Sequence, residues 1–186
     1  MRTALLLIDI QNDYFPNGAM ELVGADSASS QAASLLASFR ERALPVFHIQ
    51  HISTRPTATF FRPNTHGVEI HPSVLPAPDE TVITKGFPNS FRETSLLEAL
   101  RAAEVSKLVV AGMMTHMCVD TTVRAASDLG FSCTVAHDAC ATKALTFGDQ
   151  TVPAYSVHAA YMAALDGSFG NVLSTADVSA TLPLPT

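Results

Sequence analysis

Along the chain, apolar residues gather in short dense runs instead of alternating with polar ones. The runs are residues 4–10, broken only by Asp9, then 45–52, 81–84, 107–111, 133–136 and 172–174. Consecutive positions rich in Val, Ile and Leu suit strands buried on both faces. Helical stretches lie between them, over residues 27–42, 95–104, 117–129 and 151–165. Ser95 with Glu98 three residues on predicts a capping box, and Gly130 predicts a helix stop. Strand and helix alternate, which predicts an α/β fold with a parallel sheet between two layers of helices.

Residues 53–80 break the pattern. They hold five prolines (Pro56, Pro63, Pro72, Pro76 and Pro78) and few periodic positions. A loop that long inside a compact domain is usually functional or a lid. At 186 residues, with no repeat, low-complexity tract or Ser/Gly linker, the chain reads as a single domain over residues 1–186. A net charge of −6, with 15% charged and 47% hydrophobic residues, argues against a disordered tail and against nucleic acid as a partner. The expected partner is a small-molecule substrate. The first apolar run is too short for a signal peptide or a membrane span, so a cytoplasmic protein without membrane association is expected. Three cysteines, Cys118, Cys133 and Cys140, are odd in number and lack paired ligand spacing, which argues against a disulfide framework or a zinc ribbon.

In an open parallel sheet the reactive groups gather beyond the carboxyl ends of the strands. Three strand ends carry chemistry. Asp9 closes the first run; it either caps the turn of Gln11, Asn12 and Asp13 or, if buried, needs a cation. Lys85 follows Thr81-Val82-Ile83-Thr84 and precedes Gly86-Phe87-Pro88; it is either a solvated surface group or the partner of Asp9. Cys118 follows residues 107–111 through Gly112 and falls in the first turn of a helix beginning near Met117. Free amides and the macrodipole favour an anion there, so its thiol pKa is expected to be lowered, more so beside a lysine. Spacing alone leaves a buried structural cysteine equally open.

These segments, in this order, resemble the signature of the isochorismatase-like cysteine hydrolases, which include nicotinamidases and carbamoylsarcosine amidohydrolases. The matches are Leu7-Ile8-Asp9-Ile10-Gln11-Asn12-Asp13-Tyr14-Phe15, Lys85-Gly86-Phe87-Pro88-Asn89-Ser90-Phe91 and Gly112-Met113-Met114-Thr115-His116-Met117-Cys118-Val119. Similarity continues at Val135-Ala136-His137-Asp138-Ala139-Cys140-Ala141. The resemblance implies a Rossmann-like three-layer α/β/α hydrolase fold on a six-stranded parallel sheet, assembled as a homodimer or homotetramer. It implies a catalytic triad of Asp9, Lys85 and Cys118. It also implies an oxyanion hole from the backbone amides of Met114 and Cys118, and a cis peptide at Met113-Met114. The implied reaction is cleavage of a C–N bond in a small amide, ureide or carbamoyl compound through a thioester on Cys118, with no cofactor. Two other readings stay open: an isochorismatase-type ether hydrolase in which Cys118 is incidental, and a catalytically silent relative that binds a small molecule or a protein.

Nicotinamidases of this superfamily carry a metal on an Asp-x-His segment after the second strand. Here that stretch reads Val46-Phe47-His48-Ile49-Gln50-His51, without an Asp. His48 and His51 are three apart on a strand and face opposite sides, so no metal is expected, although His66 and His71 in the long loop are further candidate ligands. Phe15 and Phe87 are expected to line the substrate pocket, His116 and Gln11 to touch substrate, and Gln11 also to orient the Asp9 carboxylate. Arg55 and Arg62, the cations of the long loop, are candidates for binding a substrate carboxylate. Met113, Met114 and Met117 read as packing.

Overall fold

A computed structural model describes residues 2–183. Its strands are β1 (Arg2–Ile8), β2 (Val46–His51), β3 (Thr81–Lys85), β4 (Val105–Met113), β5 (Ser132–Ala141), β6 (Leu145–Phe147), β7 (Gln150–Val152) and β8 (Asn171–Leu173). Its α-helices are α1 (Ala25–Glu41), α2 (Leu96–Ala102), α3 (Asp120–Asp128), α4 (Ala154–Leu165) and α5 (Thr175–Thr181). Six strands form one parallel sheet in the order β3-β2-β1-β4-β5-β8, and β6 and β7 form a separate antiparallel hairpin. No helix among the described residues is long and apolar enough to cross a membrane.

The unbroken apolar runs have the physical cause that the sequence suggests. Leu5 and Leu7 of β1 pack with Leu35, Leu36 and Phe39 of α1 on one face. Ala4, Leu6 and Ile8 pack on the other with Leu96 and Leu100 of α2 and Val123 of α3. Each face is covered, so both sets of alternate positions must be apolar.

β1 lies at the centre, with β2 on one side and β4 on the other. Connections leave in opposite directions at this point, and a crevice opens beyond the carboxyl ends of β1 and β4. Asp9 follows β1 immediately and Met114 follows β4.

Three local expectations are corrected. Ser95 precedes α2, but its side chain makes no capping bond; the Thr94 hydroxyl accepts from Leu96 N instead, at 3.3 Å. The helix after β4 starts at Thr115 as a π-helical turn, Thr115–Val119, in which Val119 N donates to Met114 O at 3.3 Å. α5 and the β6–β7 hairpin carry no strong apolar periodicity and go beyond the elements expected from the pattern. Gly130 does end α3, at φ +91°. Phe131 N bonds back to Ala126 O, which closes the last turn.

Candidate active site

Asp9 stands one residue past the end of β1, fully buried, with φ at 50°. A left-handed backbone is tolerated by Asp better than by most side chains. Two strands away, Lys85 ends β3 and is 3% exposed. Its Nζ sits 2.9 Å from Asp9 Oδ2 and donates to the Pro88 carbonyl at 2.7 Å. The Pro88 turn therefore gives the ammonium a second anchor besides the carboxylate. The Asp9 carboxylate thus faces the ammonium and, close by, the Cys118 thiol. A buried carboxylate so placed keeps lone pairs free to take a proton.

Cys118 belongs to the π-helical turn and lines a cavity of about 300 Å³. The Met113-Met114 peptide is cis, and Met114 lines the same cavity. Ligand atoms of Asp9, His51 and Cys118 all lie within 4.8 Å of one another. The three strand ends that carry Asp9, Lys85 and Cys118 are thus brought together.

The electrostatics correct one expectation. Burial first, and the Asp9 charge second, push the Cys118 thiol well above its usual pKa, and Lys85 offsets only part of that. The helix start does not win here because the sulfur is removed from water and faces a carboxylate. Burial opposes the Lys85 charge, but Asp9 and Cys118 outweigh it and raise the lysine. Both directions favour the thiol over the thiolate beside the Asp9–Lys85 pair.

Of the residues expected to contact substrate, four are placed elsewhere. Phe15 stacks face to face on the His71 ring at 3.5 Å, away from the cavity. Phe87 packs under the Arg92 guanidinium, 3.7 Å from its ring centre. His116 Nδ1 bonds to the Thr142 hydroxyl at 2.6 Å. The Gln11 side chain makes no hydrogen bond to Asp9. Its side chain clamps the His51 backbone, accepting from His51 N at 2.8 Å and donating to His51 O at 2.9 Å, and it also donates to Val68 O.

The cavity wall comes instead from Tyr14, His51 and the long loop, including Ser53, Arg55, Thr57, Phe60 and Phe61, with Met117 also lining it. Tyr14 and Phe15 are adjacent, and no periodicity tells which ring faces the cavity; the choice is made by the packing of Tyr14 against Phe61, with ring centres 4.6 Å apart and planes tilted by 60°. The loop is tied down by the Asp13 carboxylate, which accepts from Phe61 N at 2.6 Å and Ala19 N at 3.2 Å. Arg55 faces the cavity, whereas Arg62 is not among its lining residues.

The other histidines are committed away from the site. His48 is buried on the opposite side of β2 and bonds to Glu80 at 2.8 Å. His66 pairs with Glu69, and His71 holds Phe15. Among the described residues, Asp9, His51 and Cys118 form the one group of His, Cys and acidic side chains close enough to share a cation. Lys85 against Asp9 sets a positive charge in that same space.

A family model for the isochorismatase domain matches residues 3–177. An uncharacterized isochorismatase family protein, YddQ of Bacillus subtilis strain 168, is 55% identical over 175 residues, covering 94% of this chain and 97% of its own. A streptothricin hydrolase of Streptomyces noursei is 37% identical over 139 residues, covering 75% of this chain and 49% of its own. Among solved structures, an isochorismatase-type hydrolase from Oleispira antarctica superposes with a TM-score of 0.94 at 50% identity, covering 96% of each chain.

Proposed function

The chain belongs to the isochorismatase family and is a hydrolase, and from that premise we propose that it cleaves a C–N bond in a small amide, ureide or carbamoyl compound through a thioester on Cys118. One observation carries the reading: a buried Asp9–Lys85 ion pair at 2.9 Å lies beside Cys118, with Asp9 within 4.8 Å of the sulfur, and Cys118 lines the cavity.

The steps follow from the protonation states. Asp9, with free lone pairs, takes the Cys118 proton as the sulfur bonds to the carbonyl carbon, so the thiolate exists only as it attacks. Lys85 keeps the developing negative charge in place, first on sulfur and then shared with Asp9. The backbone amides of Met114 and Cys118 receive the oxyanion. Such donors contribute about 3 to 4 kcal/mol each where they have been removed from other hydrolases. Asp9 then returns its proton to the leaving nitrogen, the C–N bond breaks, and the acyl group stays on sulfur. Water hydrolyses the thioester, with Asp9 again as base, and the thiol is restored.

The cavity volume of about 300 Å³ lies at the small end of ligand sites and suits a metabolite-sized substrate. Tyr14, Phe60, Phe61, Met114 and Met117 supply an apolar wall, and Arg55 supplies the single cation beyond Lys85. A planar amide carrying a carboxylate matches that lining. The same reading carries assembly into a homodimer or homotetramer, which light scattering tests.

The test is ammonia or amine release across a panel of small amides, ureides and carbamoyl compounds. Wild-type enzyme is expected to turn over at least one class, and Cys118→Ala none, with an unchanged melting temperature. Acid quenching during turnover is expected to show an acyl adduct on Cys118 by mass spectrometry. Full activity in Cys118→Ala, or release of pyruvate from isochorismate in place of amide cleavage, overturns the reading.

A further inference from the structure

We propose that His51 holds the water that hydrolyses the Cys118 thioester, so that it governs release of the acyl group and not its formation. The inference rests on the thioester reading above and assigns a role to a residue outside the triad.

Three independent features single out this side chain. His51 ends β2 and lines the cavity, and no described residue hydrogen-bonds to its ring. By contrast, the rings of His48, His66, His71, His116 and His158 all have polar partners, and His137, whose ring also lacks one, lies outside this cavity. Its backbone is held at both ends by the Gln11 amide, a two-point clamp at 2.8 and 2.9 Å. The ring itself rests against Phe61 at 5.7 Å between centres. A clamped backbone with an unpartnered ring is the arrangement of a group kept ready for something in the cavity.

The distances say what that something is. The polar atoms of His51, Asp9 and Cys118 lie within 4.8 Å of one another, and no direct hydrogen bond joins the ring to either. One oxygen making two hydrogen bonds of about 2.8 Å at a near-tetrahedral angle separates its partners by about 4.6 Å. That limit admits no more than one water between the imidazole and the carboxylate, and the proposal places the hydrolytic water there, beside the sulfur that carries the acyl group.

The ring is also in the right state to accept. Burial lowers its pKa, Asp9 opposes that, and Lys85 and Arg55 add to it. The Cys118 thiol and the Tyr14 hydroxyl are the other titratable groups lining the same cavity. A neutral imidazole keeps one acceptor nitrogen at neutral pH.

In the acyl-enzyme, one water proton is hydrogen-bonded to the His51 ring and the other passes to Asp9 as the water oxygen bonds to the thioester carbon. The tetrahedral adduct collapses, the C–S bond breaks, and the thiolate regains its proton from Asp9. The acid product leaves. Acylation needs no water and so does not use His51.

The probe is p-nitrophenyl acetate, whose acylation step releases a coloured phenolate and whose second step is hydrolysis of acetyl-Cys118. Wild type, His51→Leu, His51→Gln and Cys118→Ala are compared, with melting temperatures taken for each. The initial phenolate release is expected to stay within about twofold in both His51 variants. Acetyl-Cys118, followed by intact mass after excess ester is removed, is expected to decay at least tenfold more slowly in His51→Leu. His51→Gln, which can still bond a water, is expected to recover part of that loss. Equal decay in all three His51 forms overturns the inference, as does a parallel fall in both phases. If no acetyl group forms on Cys118 and Cys118→Ala hydrolyses the ester as wild type does, the thioester reading itself has failed.

Discussion

Gly112 of β4 lies in register with Ile8 of β1, and a β-carbon built on Gly112 collides with the Ile8 carbonyl oxygen. Its φ of +141° also disfavours an L side chain. This contact sets how closely the two strand ends approach. The next residues along are Asp9, just past the end of one strand, and Met113 and Met114 on the other, and Met114 lines the cavity beside Cys118.

Gly112→Ala is accordingly expected to force β1 and β4 apart at their carboxyl ends. Overpacking of this kind costs about 2 kcal/mol, seen as a lower midpoint in urea, and amide turnover is expected to fall at least tenfold. Unchanged turnover in a folded Gly112→Ala protein would show that the spacing of the two ends does not matter to the chemistry.

The Asp9–Lys85 pair makes a prediction about stability separate from activity. Removing one member leaves the other charged and buried, which costs about 3 to 5 kcal/mol. Lys85→Met is expected to destabilise the protein strongly, and adding Asp9→Asn to it to restore most of the loss. Activity stays absent in the double variant. Denaturant melts of the four proteins in the cycle check this.

The thiol offers a sign test. Because burial and Asp9 raise the Cys118 pKa, iodoacetamide labelling of Cys118 is expected to keep rising with pH beyond pH 8. Asp9→Asn removes the second of those causes and leaves Lys85 in place, so it is expected to label Cys118 faster at pH 8 while turnover drops at least a hundredfold. Labelling already on a plateau at neutral pH in wild type would mean a resting thiolate and a different proton inventory.

A second charged cluster anchors the end of the long loop. Glu80 bonds Arg40 at 2.7 and 2.8 Å, His48 at 2.8 Å and Ala77 N at 2.8 Å. Burial opposes its charge, but Arg40, Ala77 and His48 outweigh it and hold the carboxyl at about 2, below its ordinary 4.5. A depressed folded value stabilises the protein above pH 4.5, and that contribution is lost as pH falls toward 2. His48, lowered chiefly by burial, acts in the same direction. Glu80→Gln is expected to lower the melting temperature at pH 7 and to flatten its dependence between pH 4.5 and 2.

The two loop arginines separate a substrate role from a surface role. Arg55→Met is expected to raise KM at least tenfold for amides bearing a carboxylate and to leave neutral amides within about twofold. Arg62→Met is expected to change neither. Equal effects on charged and neutral amides would remove Arg55 from substrate recognition.

Much of the site was legible because it sits where strands stop. A dense apolar run delivers Asp9, another delivers Lys85, and a third passes through Gly112 to Cys118, so periodicity alone located the three ends in order. Resemblance then selected the same residues as a set. The substrate wall was not legible. Tyr14 and Phe15 differ by one position at the end of a short 3₁₀ turn, and only the loop folding back over Tyr14 decides which ring meets the cavity. Gln11 was read as serving Asp9 because the two are close in sequence; it serves His51, forty residues away, because β2 runs beside β1. Met117 was read as packing, but the π-helical turn leaves it lining the cavity.

The sequence by itself determined the parallel sheet, the layer on either side and the order of the chemistry along the chain, since these follow from local spacing and from the need to cover both faces of apolar strands. Tertiary structure alone decided the protonation of Cys118, the partner of Gln11 and the make-up of the cavity wall. Those depend on how much water is excluded and which distant segments arrive to exclude it, and neither quantity is a property of any short stretch of chain.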